Sequence, residues 1–200
     1  AVDHFVDQLK DQQTILDLIK EDIDALTNDA VEKKDDLMKR LDNFEQGVND
    51  VLADATANRE AYEKLLNGTD KEDGSVNTYG KYDAQDLWND KYAEINGNPD
   101  SETKTEWLGK LDGLQDEINA LAVEINKAYG EGKLSVKENA DELQNKINEI
   151  INKLNNLSEG YDESIAQENA EMNDAFLTAI AATDEAYERA VKEIDSYRGV

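Results

Sequence analysis

Between Ser135 and Tyr197 the chain holds no Pro, and its only Gly is Gly160. Apolar residues fall there at Leu143, Ile147, Ile150, Leu154, Leu157 and Tyr161. They resume at Ile165, Met172, Phe176, Ile180, Tyr187, Val191, Ile194 and Tyr197. Alternating steps of three and four mark a helix that buries one stripe against partner helices. Unbroken, such a helix spans about 95 Å. A rod that long is covered only if the rest of the chain lies along it, so this stretch predicts an elongated bundle.

Composition agrees with a narrow bundle. Apolar residues are 38% of the chain and aromatics 6%, thin for a thick globular core. The absence of cysteine excludes a disulfide framework and a cysteine nucleophile. The one His, His4, excludes a multi-His metal site and reads as solvated. A net charge of −26 repels a phosphate backbone or an anionic bilayer, both of which call for Lys/Arg clusters. The longest basic runs are Lys33–Lys34 and Lys39–Arg40. No segment approaches 18 apolar residues, so neither nucleic-acid binding nor membrane insertion is expected. No signal peptide is visible, and the chain reads as a mature form or a piece of something longer.

Taken in order, Val2, Phe5, Leu9, Gln12, Leu16, Ile19, Ile23 and Leu26 keep heptad spacing. The seam resumes at Leu37, Leu41, Phe44, Val48, Val51, Ala55, Tyr62 and Leu65. Two readings stay open. Residues 2–66 form one helix with a stutter near Lys33–Lys34, or they break near residue 28 into a hairpin turning at Thr27–Asp29. The lack of Gly or Pro favours the continuous helix. Asn67-Gly68 ends it. Residues 67–82 are the only long loop, and loops of that length in compact domains are usually functional or disordered. A short helix is expected over 83–95. Asn98 as cap and Pro99 at the first position open the next, 99–129. Ser135 with Glu138 makes a capping box for the last, 135–198, with a bend expected near Gly160. The expected fold is all-α: one elongated, antiparallel, coiled-coil-like three-helix bundle over 1–200. It runs up along 2–66, down along 83–129 and up along 135–198, with the long loop at one end.

Shifting the chain by about 106 residues lays Leu37, Leu41, Phe44, Val48 and Val51 on Leu143, Ile147, Ile150, Leu154 and Leu157. The match ends where Tyr62 falls on Glu168. The shift is close to the length of a spectrin-type repeat, which the long three-helix pattern resembles. The Asp/Asn-rich, cysteine-free style also resembles helical stalk modules of large bacterial surface proteins. These resemblances imply a structural module, tandem-repeat neighbours and a cell-surface or extracellular setting. They carry no functional residues.

Chemistry-bearing motifs are sparse. Glu168-x-x-Glu171 and Glu185-x-x-Glu188 lack the Glu-x-x-His partners of di-iron bundles. Asp70-Lys71-Glu72-Asp73-Gly74 is similar in composition to a calcium loop. With Gly74 sixth, however, Thr69 is first and Lys71 third, where oxygen ligands are required. A solvated charged loop is the reading. No metal, cofactor or catalytic residue is expected, and the chain is read as non-enzymatic. Tyr79, Tyr82, Trp88 and Tyr92 cluster at the border of the long loop. Trp88 and Tyr92 have the spacing of core residues. Tyr79 and Tyr82 lie in Gly-flanked loop sequence, where aromatics serve as interface anchors. These four are the candidate partner-binding residues. The expected function is a helical spacer or protein-binding rod with a protein partner. The alternative is an acidic protein that sequesters basic partners or mimics nucleic acid.

Overall fold

The computed structural model describes residues 2–25 and 31–199. It is an all-α helical bundle. Helix α1 is Val2–Asp24, α2 is Val31–Asn67, α3 is Lys81–Asn96, α4 is Glu102–Gly130 and α5 is Lys137–Arg198. Two short strands, β1 (Thr69–Asp70) and β2 (Val76–Thr78), lie between α2 and α3, and a 3-10 turn at Lys133–Ser135 precedes α5.

The core forms where α4 and the first half of α5 pack together. Leu111, Ile118 and Ile125 of α4 meet Ile147, Ile150 and Leu154 of α5, all buried. Each such side chain contributes about 1.5–3 kcal/mol by leaving water. The two helices are antiparallel. Lys146 pairs with Glu124 at 2.9 Å and Lys153 with Glu117 at 2.7 Å, so rising numbers on one match falling numbers on the other. Helix α3 is antiparallel to α4, since Gln85 bonds Gln115 and the Trp88 indole N–H donates to the Leu111 carbonyl at 2.6 Å. The C-terminal part of α2 enters the same core through Leu65. Buried Asn58 locks it there: its amide donates to the Tyr129 carbonyl at 3.1 Å and accepts from the Leu134 N–H at 2.9 Å.

Three expectations change. First, the chain reverses between α1 and α2. Gln13 bonds Asn49 at 2.7 Å, Lys20 pairs with Asp42 and Glu45, and Lys34 reaches the Asp24 carbonyl, so the two helices form an antiparallel hairpin. The continuous helix over 2–66 is corrected. The cap expected at Thr27–Asp29 lies outside the described residues.

Second, residues 67–82 do not reverse the chain. Along α5, Leu134 meets Asn58, Gln144 meets the Tyr79 carbonyl and Ser158 meets Lys91. Both α2 and α3 therefore run parallel to α5, and α3 resumes the direction of α2. Of the arm expected to descend over 83–129 only α4 does so, and the loop lies midway along the bundle rather than at its end.

Third, the helix starts differ. Ser101, not Asn98, caps α4, accepting from the Lys104 N–H at 3.0 Å. Asn98 instead donates to the Glu94 carbonyl and closes α3. The Ser135 hydroxyl bonds the Gly132 carbonyl inside the 3-10 turn, and α5 opens after Val136 without a side-chain cap. Helix α3 opens on Gly80, whose N–H donates to the Asp83 carboxylate at 2.7 Å, rather than at Asp83.

Helix α5 is continuous through Gly160. The glycine marks a close approach, not a break. A Cβ there would lie 2.6 Å from Cη2 of Trp107, whose ring sits on the helix at this point. Tyr161 completes the seat, edge-on to Trp107 with ring centroids 6.3 Å apart.

Candidate functional site

The loop sequence is a hairpin looped out of an otherwise continuing helical path. Thr69 pairs with Thr78 and Asp70 with Val76, leaving Asn77 as a bulge. Its tip is closed by Asp73, whose carboxylate accepts from the Ser75 hydroxyl at 2.6 Å and the Ser75 N–H at 2.9 Å. Those bonds, the hydroxyl first, hold the Asp73 carboxyl below its ordinary value. Gly74 turns at φ +82, as a tight tip requires. The neck is Gly68 against Gly80. Gly68 has φ +68, and a Cβ on Gly80 would strike the backbone of Leu66 and Asn67. The chain thus leaves and re-enters the bundle at one point. Among the described residues no three His, Cys, Asp or Glu side chains converge as a metal site.

The four aromatic candidates separate into two pairs. Trp88 and Tyr92 stack with centroids 5.1 Å apart and pack against the core, half-buried. Tyr79 and Tyr82 are exposed; Lys81 lies over the Tyr82 ring at 5.0 Å, and the Tyr79 backbone is tied to Gln144. Only Tyr79 and Tyr82 present open aromatic surface beside the hairpin.

Larger apolar surfaces lie at the two ends. Every described residue from Asn169 to Gly199 is exposed, so the second half of α5 projects past the core as a single helix. It carries the stripe Met172, Phe176, Ile180, Tyr187, Val191 and Ile194 in solvent, Phe176 at 63% and Tyr187 at 71% exposure. The expectation that the rest of the chain covers this stripe is corrected: the descending helix begins only at Glu102, and its Trp107 is already level with Gly160 and Tyr161.

At the other end the α1–α2 hairpin extends beyond the core. Its mutual interface uses Val6, Leu9, Gln13 and Leu16 of α1 against Leu41, Val48, Asn49 and Leu52 of α2. Leu9, Leu16, Leu41 and Val48 are in the heptad seam read from the sequence; at the alternate positions the interface takes the next residue, Val6 for Phe5, Gln13 for Gln12 and Leu52 for Val51. Polar Gln13, Lys20, Glu45 and Asn49 occupy positions in it, joined by the bonds described above. The displaced apolar residues form a second face. Phe5 and Ile19 lie about a quarter-turn to one side of the α1 seam and Ile15 somewhat over a third, and Leu37, Phe44 and Val51 lie about a quarter-turn round α2. Antiparallel packing brings the two flanks to the same side of the hairpin. Phe5 and Val51 accordingly line one cleft of about 320 Å³, together with Ala55 and Tyr129. All six are exposed.

Compared with known protein families, curated proteins and solved structures, the chain matches none. Its site is therefore described by geometry alone. No described helix is long and apolar enough to cross a membrane. The surfaces at hand are apolar, long and shallow, the shape that receives another helix rather than a small molecule. The sequence placed the interaction site at Tyr79, Tyr82, Trp88 and Tyr92. The sequence pattern puts Phe5, Ile19, Leu37, Phe44 and Val51, like Met172 to Ile194, in a buried seam, so neither end face reads as a site. The signal was present: Leu37, Phe44 and Val51 repeat every seven residues beside a second, independent seam.

Proposed function

We propose that the protein is a non-enzymatic helical spacer and protein-interaction rod, a module of a surface or secreted protein. In this reading α2 with α3, α4 and α5 are the three arms of an elongated bundle. The single observation that supports it is α5: one helix of 62 residues, about 93 Å long, of which only the first half is covered by its own chain. A helix of that length sets a distance, and an uncovered apolar stripe along it offers a partner helix a face.

Small-angle scattering of the dilute chain tests the rod. A maximum dimension above about 90 Å is expected, against roughly 50 Å for a compact domain of this length. A globular profile overturns the reading.

A further inference from the structure

We propose that the uncovered half of α5 in one copy docks on the open face of the α1–α2 hairpin in a second copy. The three helices then form a bundle shared between molecules, and the copies grow head to tail. The proposal rests on the rod reading above and names its partner.

The parts match in number, length and position. One end supplies a single helix with one apolar stripe, the other an antiparallel pair with one open apolar face. The stripe from Met172 to Tyr197 runs about 38 Å, and the face from Leu37 to Val51 with its α1 counterpart about 30 Å. The chain cannot satisfy itself. The hairpin leaves the core at Asn58, beside the α4–α5 turn, while the α5 arm leaves it beyond Tyr161. About 40 Å of rigid α5 separates the two.

The area suffices. Six large apolar residues on each face are roughly half exposed, and half of the 150–250 Å² of an aromatic side chain is typical of each. About 1,000 Å² of apolar surface would leave water before any polar rim is counted, where specific interfaces bury about 1,200–2,000 Å² in total.

Charge sets the polarity. From 169 to 188 the arm holds five acids and no base; from 189 to 198 it carries three bases, Arg189, Lys192 and Arg198, against two acids, Glu193 and Asp195. On the hairpin the acids thicken toward the open end. Beside the turn, residues 15–25 and 31–40 hold seven acids and five bases, net −2, while residues 2–14 and 41–58 hold seven acids and one base, net −6. An arm running parallel to the partner's α2 sets its acidic stretch beside the less acidic turn half and its net-basic tip beside the more acidic open half. The inverted orientation puts the acidic stretch against the most acidic part of the hairpin, which costs affinity. Parallel docking repeats the same contact from copy to copy, so it does not close at two.

The test is sedimentation velocity on the full chain over a concentration series, with two double variants. F176E with Y187E spoils the arm, and F44E with V51E spoils the hairpin face. Circular dichroism confirms that both keep their helicity. The expected result is that the wild-type mass climbs past two copies with concentration, each variant alone stays monomeric, and an equimolar mixture gives a dimer and nothing larger, because one good arm and one good face remain. A wild type that stays monomeric at millimolar concentration, a mass that stops at two, or a mixture that stays monomeric overturns the proposal. Scattering from the monomeric variants reports the rod separately, so a failed assembly and a failed rod are told apart.

Discussion

From Leu143 to Tyr161, α5 turns its apolar stripe into a core; from Met172 to Ile194 the stripe continues with similar spacing and faces solvent. The α1–α2 hairpin repeats the contrast across its width: Val6 and Val48 are buried between the helices, while Phe5 and Phe44, each within a turn of them, are exposed. Periodicity therefore predicts that a helix has a face to bury. It does not say which helix buries it, or whether that helix belongs to the same molecule.

Alanine substitutions along α5 sharpen this contrast most. Ile147 and Leu154 are fully enclosed by α4 and the helices beside it. Ile147→Ala or Leu154→Ala should each cost about 2–5 kcal/mol in denaturant unfolding, the transfer loss plus the cavity. Ile180→Ala and Ile194→Ala in dilute solution should change stability by less than about 0.5 kcal/mol, since nothing in the monomer touches them and alanine favours helix. Equal costs would mean that the arm folds back on its own chain.

Glycines give the next largest effect. At Gly160 a side chain meets the Trp107 ring, while at Gly113 in α4 a Cβ meets nothing within 4 Å. Gly160→Val should push the indole off the helix and cost about 1–3 kcal/mol. Gly113→Ala should stabilise by about 0.5–1 kcal/mol through backbone entropy alone. Tryptophan fluorescence separates the two, since only the first should change the emission of Trp107.

These sites also show what was legible in advance. The α4 and α5 seams were readable because Leu111, Ile118, Ile125, Ile147 and Leu154 sit in unbroken heptads bounded by Gly-rich turns. The reversal before α2 was not, because no Gly or Pro occupies residues 19–46 to announce it. Half of the hairpin seam, Leu9, Leu16, Leu41 and Val48, is legible in the heptads; the alternate positions are not, because they admit Gln13, Lys20, Glu45 and Asn49. Those side chains satisfy one another across the interface, and a hydrophobicity pattern cannot register that. A three-arm bundle places a reversal at the long loop, where the structure has none. Gly68 and Gly80 bring its ends together, so its length says nothing of the direction in which the chain resumes. Of the four aromatic candidates, the sequence separated Trp88 and Tyr92 from Tyr79 and Tyr82 by spacing, and burial divides them the same way.

The smallest expected effect is titration, and it too should divide α5 in two. The hydrogen bond that Lys146 donates to Glu124 raises its ammonium above the ordinary value, and the bond that Lys153 donates to Glu117 does the same there. Burial raises the Tyr161 phenol. All three groups hold their protons more tightly folded than unfolded. Their contribution is therefore complete below the unfolded values, near 10, and is lost as pH rises through the folded ones. These exposed pairs are weak, so the melting temperature should fall by only a few degrees between pH 9 and 11. Lys146→Met with Lys153→Met should flatten that fall, leaving the part due to Tyr161. All three groups lie in the covered half of α5. An alkaline slope that the double substitution leaves unchanged would show that the pairs with α4 do not hold that half, and its distinction from the uncovered arm would fail.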